Sequence, residues 1–469
     1  MAKDLRCWLA ESDFLAEQRE PLELSEKQLS YVTTRTDSGY RRIKGPAGTG
    51  KSLVLVARAA KLFGEGKEVL VVTYNITLLH YLKGLAARWP APPNVMIEKK
   101  NIIDKVKRLP SDVMKINKIK RLVGNLPMVG RVPIPPAPPG KTGKNITWLN
   151  FHHWCKRVCQ ECNREEEYKV LWNEHPREEV LDHRLPELVS QIIDEDKANV
   201  IPRYDAVLVD EGQDFLPGWW NALRKVCRKE GEMLLVADAT QDIYGTAKAW
   251  TDEKMTGAGF SGKFGKLEIS YRLPPKALKY AREFAEQFLP QDNVDPPVSV
   301  QGELDLYPCK LRWIQTNADQ ALRVCTNEIL SMAPNAGPGI LAIPDITFLT
   351  GINNFGREVV ARLDEQGVRV IHTFTNGNND REARRRRMHF YARGVSGIRA
   401  TTLHSFKGWE SRALVVYVDP NAASRSLALI YTGLTRIKRH VGGGYLTVVS
   451  CAQNLREYGR TWPEYSECH

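Results

Sequence analysis

The sequence predicts an α/β protein with parallel β-sheets, and three observations lead to this fold class. Short apolar runs typical of buried strands alternate with helix-like segments, as expected when helices cover both faces of a parallel sheet. A glycine-rich segment, GPAGTGKS at 45–52, joins a strand-like run to a helix-like run. A further segment, DAVLVDEGQDF at 205–215, carries an apolar run into paired acidic residues. Such a pair at a strand end lies where open α/β sheets bind ligands.

The individual elements follow from apolar runs and their spacing. Residues 40–44 and 68–73 predict two strands on either side of a helix at 52–64. Two stretches predict loops or accessory elements, because 91–144 ends in the proline-rich VPIPPAPPG and 379–387 is NDREARRRR. Further strands are predicted at 206–209, 233–237 and 414–418.

Composition indicates a globular protein with a polyanionic partner. The 469 residues suffice for about two to four domains, and 42% apolar with 26% charged residues is typical of a folded chain. The net charge of +12 favours binding to phosphates. Nine scattered cysteines predict reduced thiols. No signal peptide and no apolar stretch of about 18 residues is visible, so we expect a cytoplasmic protein without a membrane partner.

The segment at 45–52 fits the phosphate-loop pattern GxxxxGK[ST]. Its glycines allow backbone N–H groups to turn towards phosphates. Lys51 would neutralise the β- and γ-phosphates of ATP, and the Ser52 hydroxyl would coordinate Mg²⁺. The candidate nucleotide-binding residues of this segment are Gly45, Gly48, Thr49, Gly50, Lys51 and Ser52.

The acidic pair at the end of the AVLV run completes a candidate hydrolytic site. Asp210 would hold Mg²⁺ together with Ser52, and Glu211 would orient and deprotonate the attacking water. Two acids at a strand end are often only a solvated terminus, but their combination with the phosphate loop favours the functional interpretation.

Taken in order, seven sequence blocks resemble the UvrD/Rep branch of the superfamily 1 helicases. The resemblance implies two RecA-like P-loop domains with ATP at their interface, single-stranded DNA across the top, and usually 3′→5′ movement. The blocks are LSEKQ (24–28), GPAGTGKS (45–52), DEGQD (210–214), VADATQDIYG (236–245), SYRLP (270–274), TLHSFKGWE (402–410) and YTGLTR (431–436).

The resemblance also implies roles around the nucleotide. Gln28 would contact adenine through its amide, and Tyr271 would stack on the base. Arg272 and Arg436 would reach the γ-phosphate from the second domain as arginine fingers. Gln241 would sense the γ-phosphate, and Glu410 would contact the ribose or the triphosphate.

A nucleic-acid track is carried over by position, with two departures from the family pattern. Asn150 stands where the family has threonine, and Thr246 stands where UvrD-type enzymes have a stacking tryptophan, for which Trp250 is the only nearby substitute. An aromatic ring that stacks on a base contributes about 1–3 kcal/mol, so the Thr246 departure predicts weaker base stacking by this block. The carried-over strand contacts are Thr73, Asn75, Phe151, His152, Tyr244, Thr402 and His404.

The resemblance divides the chain into two motor domains and one accessory insertion. The first RecA-like domain would comprise 1–90 and 146–268, with a small helical insertion at about 160–200, and the second 269–469. The accessory insertion at 91–145 contains the strongly basic segment 98–122, for which duplex contact and a solvated face are equally compatible with the sequence.

A cluster of His152, Cys155, Cys159 and Cys162 resembles a metal site in composition only. Spacings of 3, 4 and 3 place these residues along one helix face. The outer pair would then lie about 15 Å apart, which is too far for one tetrahedral zinc. The pattern therefore predicts an apolar packing stripe.

Three functions are compatible with the sequence. The first is an ATP-dependent helicase or translocase that uses Mg²⁺ on single-stranded DNA or a tailed duplex. The second is a nucleic-acid-gated ATPase that serves as a regulatory or sensor subunit, with a separate nuclease or a second copy as its protein partner. The third is an RNA-directed motor, because contacts to a single strand are mostly independent of base identity.

Overall fold

The structure is a computed structural model, and two parallel sheets organise the part of the chain that it describes. No helix within that part is long and apolar enough to cross a membrane. The described residues are 23–86, 146–238, 240, 259–260, 264–290, 298, 307–332, 341–375, 397–421 and 424–468.

The first sheet has six strands in the order β3-β2-β4-β5-β1-β6. All its pairings are parallel, so the carboxyl ends of its strands lie at one edge. The residues of β2 are all buried, as expected for a strand covered on both faces. The strands are β1 (Tyr40–Lys44), β2 (Val69–Thr73), β3 (Ile146–Asn150), β4 (Tyr204–Asp210), β5 (Cys227–Ala237) and β6 (Gly265–Lys266).

The second sheet has seven strands in the order β13-β7-β12-β11-β8-β10-β9 and is parallel throughout. Its central strands consist entirely of buried residues. The strands are β7 (Cys309–Thr316), β8 (Ile346–Thr350), β9 (Val370–His372), β10 (Ile398–Thr402), β11 (Ala413–Val418), β12 (Gly444–Ser450) and β13 (Glu464–Cys468).

Helices cover both sheets and connect their parallel strands, as a parallel topology requires. One apolar core cluster contains residues from both halves of the chain, including Leu78 and Trp409. The helices are α1 (Glu26–Thr33), α2 (Lys51–Gly64), α3 (Ile76–Ala86), α4 (Phe151–Glu161), α5 (Glu165–Glu174), α6 (Arg177–Glu179), α7 (Leu185–Glu195), α8 (Pro217–Arg224), α9 (Pro275–Phe288), α10 (Ala318–Met332), α11 (Asn353–Glu365), α12 (Leu403–Phe406), α13 (Ser424–Leu434) and α14 (Arg456–Arg460).

The α/β class and the parallel sheets predicted from the sequence are confirmed. The helix predicted at 52–64 begins one residue earlier, at Lys51. Each predicted strand lies within an observed strand or within one residue of it. The region predicted as a helical insertion contains α5 to α7, with a π-helical turn at Val180–Arg184. The accessory insertion at 91–145 and the arginine-rich segment at 379–387 lie outside the described residues.

The cysteine stripe on α4 packs into the core. Cys155 and Cys159 are fully buried among the apolar residues that cover one face of the first sheet. Cys162 lies beyond the helix end at Glu161, where it forms the C-cap. Cys162 is partly exposed and packs against the same apolar cluster, so the predicted packing stripe extends to the helix C-cap.

Candidate active site between the two sheets

The glycine-rich segment forms a tight loop between β1 and α2. Gly48 and Gly50 adopt left-handed φ values of 78° and 81°, which favour glycine. A Cβ on Gly48 would lie 2.7 Å from Cβ of Arg272, and one on Gly50 would lie 2.3 Å from Nε2 of Gln28. The loop therefore fits between Gln28 and Arg272 only because these positions lack side chains.

Lys51 opens α2 at the end of this loop. Its Nζ donates to the carbonyl oxygens of Gly45 at 2.6 Å and Pro46 at 2.9 Å. It also lies 3.4 Å from Oδ2 of Asp238. The helix N-terminus and the ammonium group together form an electropositive end suited to an anion.

Ser52 and Asp210 lie next to each other, as the sequence predicted for Mg²⁺ ligands. The Ser52 hydroxyl donates to the Asp210 carboxylate at 3.0 and 3.2 Å. Burial, reinforced by the neighbouring Glu211, raises the pKa of Asp210 to about 7. A buried carboxylate beside a hydroxyl offers the oxygen ligands that Mg²⁺ prefers, so these residues fit the ion in their chemistry.

Glu211 follows Asp210 in a left-handed conformation with φ of 54°. This backbone costs about 1–3 kcal/mol for a residue other than glycine and is typical of functional sites. Gln213 Nε2 donates to the Glu211 carboxylate at 2.5 Å, and Gln213 Oε1 accepts from the backbone N–H of Asp238 at 2.9 Å. Burial opposes ionisation, but Lys407, Lys51 and Arg436 together lower the pKa of Glu211. Glu211 is therefore held as a carboxylate in a fixed orientation.

Two arginines from outside the first sheet approach the same region. Nε of Arg272 lies 2.5 Å from the Glu410 carboxylate. Arg436 is buried and donates to the carbonyl oxygens of Thr432 at 2.9 Å and Trp409 at 3.4 Å. Burial and the nearby Arg272 lower the pKa of Arg436 to about 10. The candidate arginine fingers are thus neighbours, and Glu410 pairs with one of them.

The residues predicted to hold the nucleoside flank the loop. Gln28 is buried, donates from Nε2 to the Thr49 carbonyl at 2.9 Å, and accepts at Oε1 from the backbone N–H of Ser25 at 2.8 Å. In this conformation its amide supports the loop. The Tyr271 side chain is exposed, while its backbone N–H donates to the Gly48 carbonyl at 2.9 Å. An exposed ring beside the loop is available for stacking.

The predicted nucleic-acid track is only partly on the surface. Thr73 and Phe151 are fully buried, and the Phe151 ring stacks on Trp219 at 4.7 Å. In this conformation neither side chain is available to a strand. His152 donates from Nε2 to the Leu181 carbonyl oxygen at 3.1 Å, and burial lowers its pKa to about 4.

Three other track residues come together at α12. Thr402 caps this helix by accepting from the backbone N–H of Ser405 at 3.2 Å. Asn75, at the end of β2, donates to the carbonyl oxygens of His404 at 3.3 Å and Lys407 at 3.3 Å. These contacts bring Asn75, which follows β2, next to Thr402 and His404 at α12. Gln241 and Tyr244, together with Thr246 and Trp250, lie outside the described residues.

Sequence reasoning missed one pair of residues at the centre of this site. Lys407 Nζ donates to both carboxylate oxygens of Asp214, at 2.7 and 2.8 Å. Both residues belong to blocks that the sequence had singled out, DEGQD and TLHSFKGWE. The available signals were the lysine in the TLHSFKGWE block and the third acid of the DEGQD block.

Comparison of the chain with protein-family models and with curated proteins finds no match.

Proposed function

We propose that this chain is an ATP-dependent translocase or helicase on single-stranded DNA, with 3′→5′ movement expected from the sequence resemblance. One observation carries the proposal. Side chains from both halves of the chain, with Lys51 on α2, Glu211 after β4 and Arg436 after α13, belong to one buried charged network that Lys407 bridges. Such a network at an interface between two α/β units suits a phosphoryl-transfer reaction that depends on their relative position.

In the proposed reaction, a water oxygen attacks the γ-phosphorus of ATP and the bond to the ADP β-phosphate oxygen breaks. Glu211 orients this water and accepts its proton. Lys51 binds the phosphates, and Arg272 and Arg436 stabilise the charge that develops on the transferred group. Mg²⁺ held by Ser52 and Asp210 would neutralise the β- and γ-oxygens.

The proposal is tested by measuring ATP hydrolysis with Mg²⁺, alone and with single-stranded DNA or single-stranded RNA of equal length. We expect hydrolysis to increase with DNA, because a strand bound across both sheets favours their closed arrangement. A strand-displacement assay on a 3′-tailed duplex then tests movement. If neither DNA nor RNA increases the rate of ATP hydrolysis, the proposed motor function is contradicted. If only RNA increases the rate, the substrate is RNA and not DNA.

Affinity for single-stranded DNA is expected to fall steeply with salt. The motivation is the net charge of +12 and the basic segment at 98–122. Each neutralised phosphate should contribute about −0.7 to the slope of log K against log salt concentration. Fluorescence anisotropy of a labelled oligonucleotide over a salt series measures this slope. A flat dependence would mean that stacking on bases dominates binding.

A further inference from the structure

Lys407 is a buried cation that joins the two halves of the candidate site. Its side chain is 3% exposed, and its Nζ lies 2.7 Å from Asp214 and 3.8 Å from the Glu211 carboxylate. The lysine belongs to the second half of the chain, directly after α12, whereas both acids follow β4 of the first sheet. One ammonium group therefore contacts the candidate catalytic base across the boundary between the sheets.

The backbone around Lys407 is tied to the predicted strand contacts. Asn75 donates to the Lys407 carbonyl at 3.3 Å and to the His404 carbonyl at 3.3 Å. Thr402 caps the same short helix. Residues 402–407 thus present predicted strand contacts at one end and the Lys407 ammonium group at the other.

Glycine at position 408 fixes the direction of this segment. Gly408 has φ of 85°, and a Cβ there would lie 2.4 Å from Cδ1 of Leu78 on α3. Trp409 packs on Tyr81 of the same helix, with ring centroids 5.0 Å apart. The chain that follows Lys407 therefore packs against α3, so that a shift of α12 relative to α3 changes the position of the lysine relative to Glu211.

We propose that Lys407 is a positioning residue that couples strand binding at α12 to Glu211. This inference rests on the proposed function. Without a strand, Lys407 holds the Asp214–Glu211 pair and restrains the base by ion pairing. A strand bound at Thr402, His404 and Asn75 shifts residues 402–407 and withdraws the ammonium group from Glu211. The Glu211 carboxylate is then released from the ion pair and turns towards the attacking water.

The test compares ATP hydrolysis with and without single-stranded DNA in the wild type and in Lys407→Met. Methionine fills a similar volume without charge. We expect the strand-free rate to rise and the ratio of stimulated to strand-free rate to fall at least about fivefold, the lower end of typical coupling between sites. Lys407→Arg keeps the charge and should retain most of the stimulation. Lys279→Met, on the exposed face of α9, is the matched control and should leave the ratio unchanged.

A double variant distinguishes loss of coupling from loss of folding. Lys407→Met removes the ammonium group that pairs with the buried Asp214 carboxylate, which is destabilising. Lys407→Met/Asp214→Asn removes both charges, so that no buried carboxylate loses its counter-charge. The same fall in the stimulation ratio is expected. An unchanged ratio in both variants, including a parallel loss of both rates, would overturn the coupling role.

An equilibrium measurement supplies a readout that does not depend on turnover. Linkage requires that a non-hydrolysable ATP analogue and a DNA strand change each other's affinity by the same factor. We expect anisotropy titrations to give a factor near one in Lys407→Met and a larger factor in the wild type. If the wild type hydrolyses ATP with no response to DNA, both the proposed function and this inference fail. If the wild type responds to DNA and Lys407→Met keeps the same response, this inference alone fails.

Discussion

Replacement of Arg436 by alanine is expected to lower the maximal rate of ATP hydrolysis by about 10³-fold, with nucleotide affinity within a few fold of the wild type. The guanidinium group is buried beside Arg272, and it influences the charge state of Glu211. A cation in this place stabilises charge that develops mainly in the transition state. Steady-state kinetics together with equilibrium binding of a fluorescent ATP analogue separate the two effects.

Controls must account for the structural contacts of Arg436. Its guanidinium donates to backbone carbonyls of Thr432 and Trp409, so alanine also removes support from the end of α13. Arg436→Lys keeps a charge but loses the fork geometry, and we expect it to remain slow while folding normally. Arg282→Ala, at an exposed position on α9, is the matched control. Loss of affinity without loss of rate would identify Arg436 as a ground-state binder.

Much of the first sheet could be predicted, because its strands are apolar runs bounded by short polar segments. The run AVLV within β4 is buried and delivers Asp210 and Glu211 to the carboxyl edge. A tight turn such as GPAGTGKS is sterically accessible to glycine in the left-handed conformation, and Gly48 and Gly50 have that conformation. Local sequence was sufficient here because strand, loop and helix are consecutive.

The pairing of Lys407 with Asp214 could not be predicted, because 193 residues separate the two in sequence. The packing of α3 against the segment after α12 and the hydrogen bonds from Asn75 to residues 404–407 join these two parts of the chain. Burial of a lysine without an acidic partner costs free energy, but the residues near Lys407 in sequence do not show which acid pairs with it. Pairings of this kind are a property of tertiary structure.

Positions carried over for nucleic-acid contact show a different limit. Phe151 was expected to meet a strand, yet its ring packs against Phe215, Trp219 and other aromatic side chains within the core. An aromatic residue at a strand end is suited either to packing in the core or to stacking on a base. The sequence around it does not distinguish these two roles. The neighbouring Trp219 lies 68 residues further along the chain, outside the local pattern.

The orientation of Glu211 also depends on distant residues. Its left-handed backbone places the carboxylate against Gln213, which in turn accepts a hydrogen bond from Asp238 at the end of β5. The acidic pair predicted a water-activating group, whereas the restraint on that group comes from the neighbouring strand. A conservative change at Glu211 therefore tests the chemistry with little change in packing.

Glu211→Gln is expected to block turnover while ATP binding stays within a few fold of the wild type. Glutamine has the same shape but cannot accept the proton of the attacking water, and a positioned general base contributes about 10²–10⁴-fold in rate. Lys51 and the loop around it, which would bind the phosphates, are unchanged. Equilibrium binding of a fluorescent ATP analogue and single-turnover hydrolysis measure the two properties. Glu283→Gln, on the exposed face of α9, is the matched control. Normal turnover by Glu211→Gln would assign the base to another residue, and loss of ATP binding would show that the carboxylate supports the nucleotide site itself.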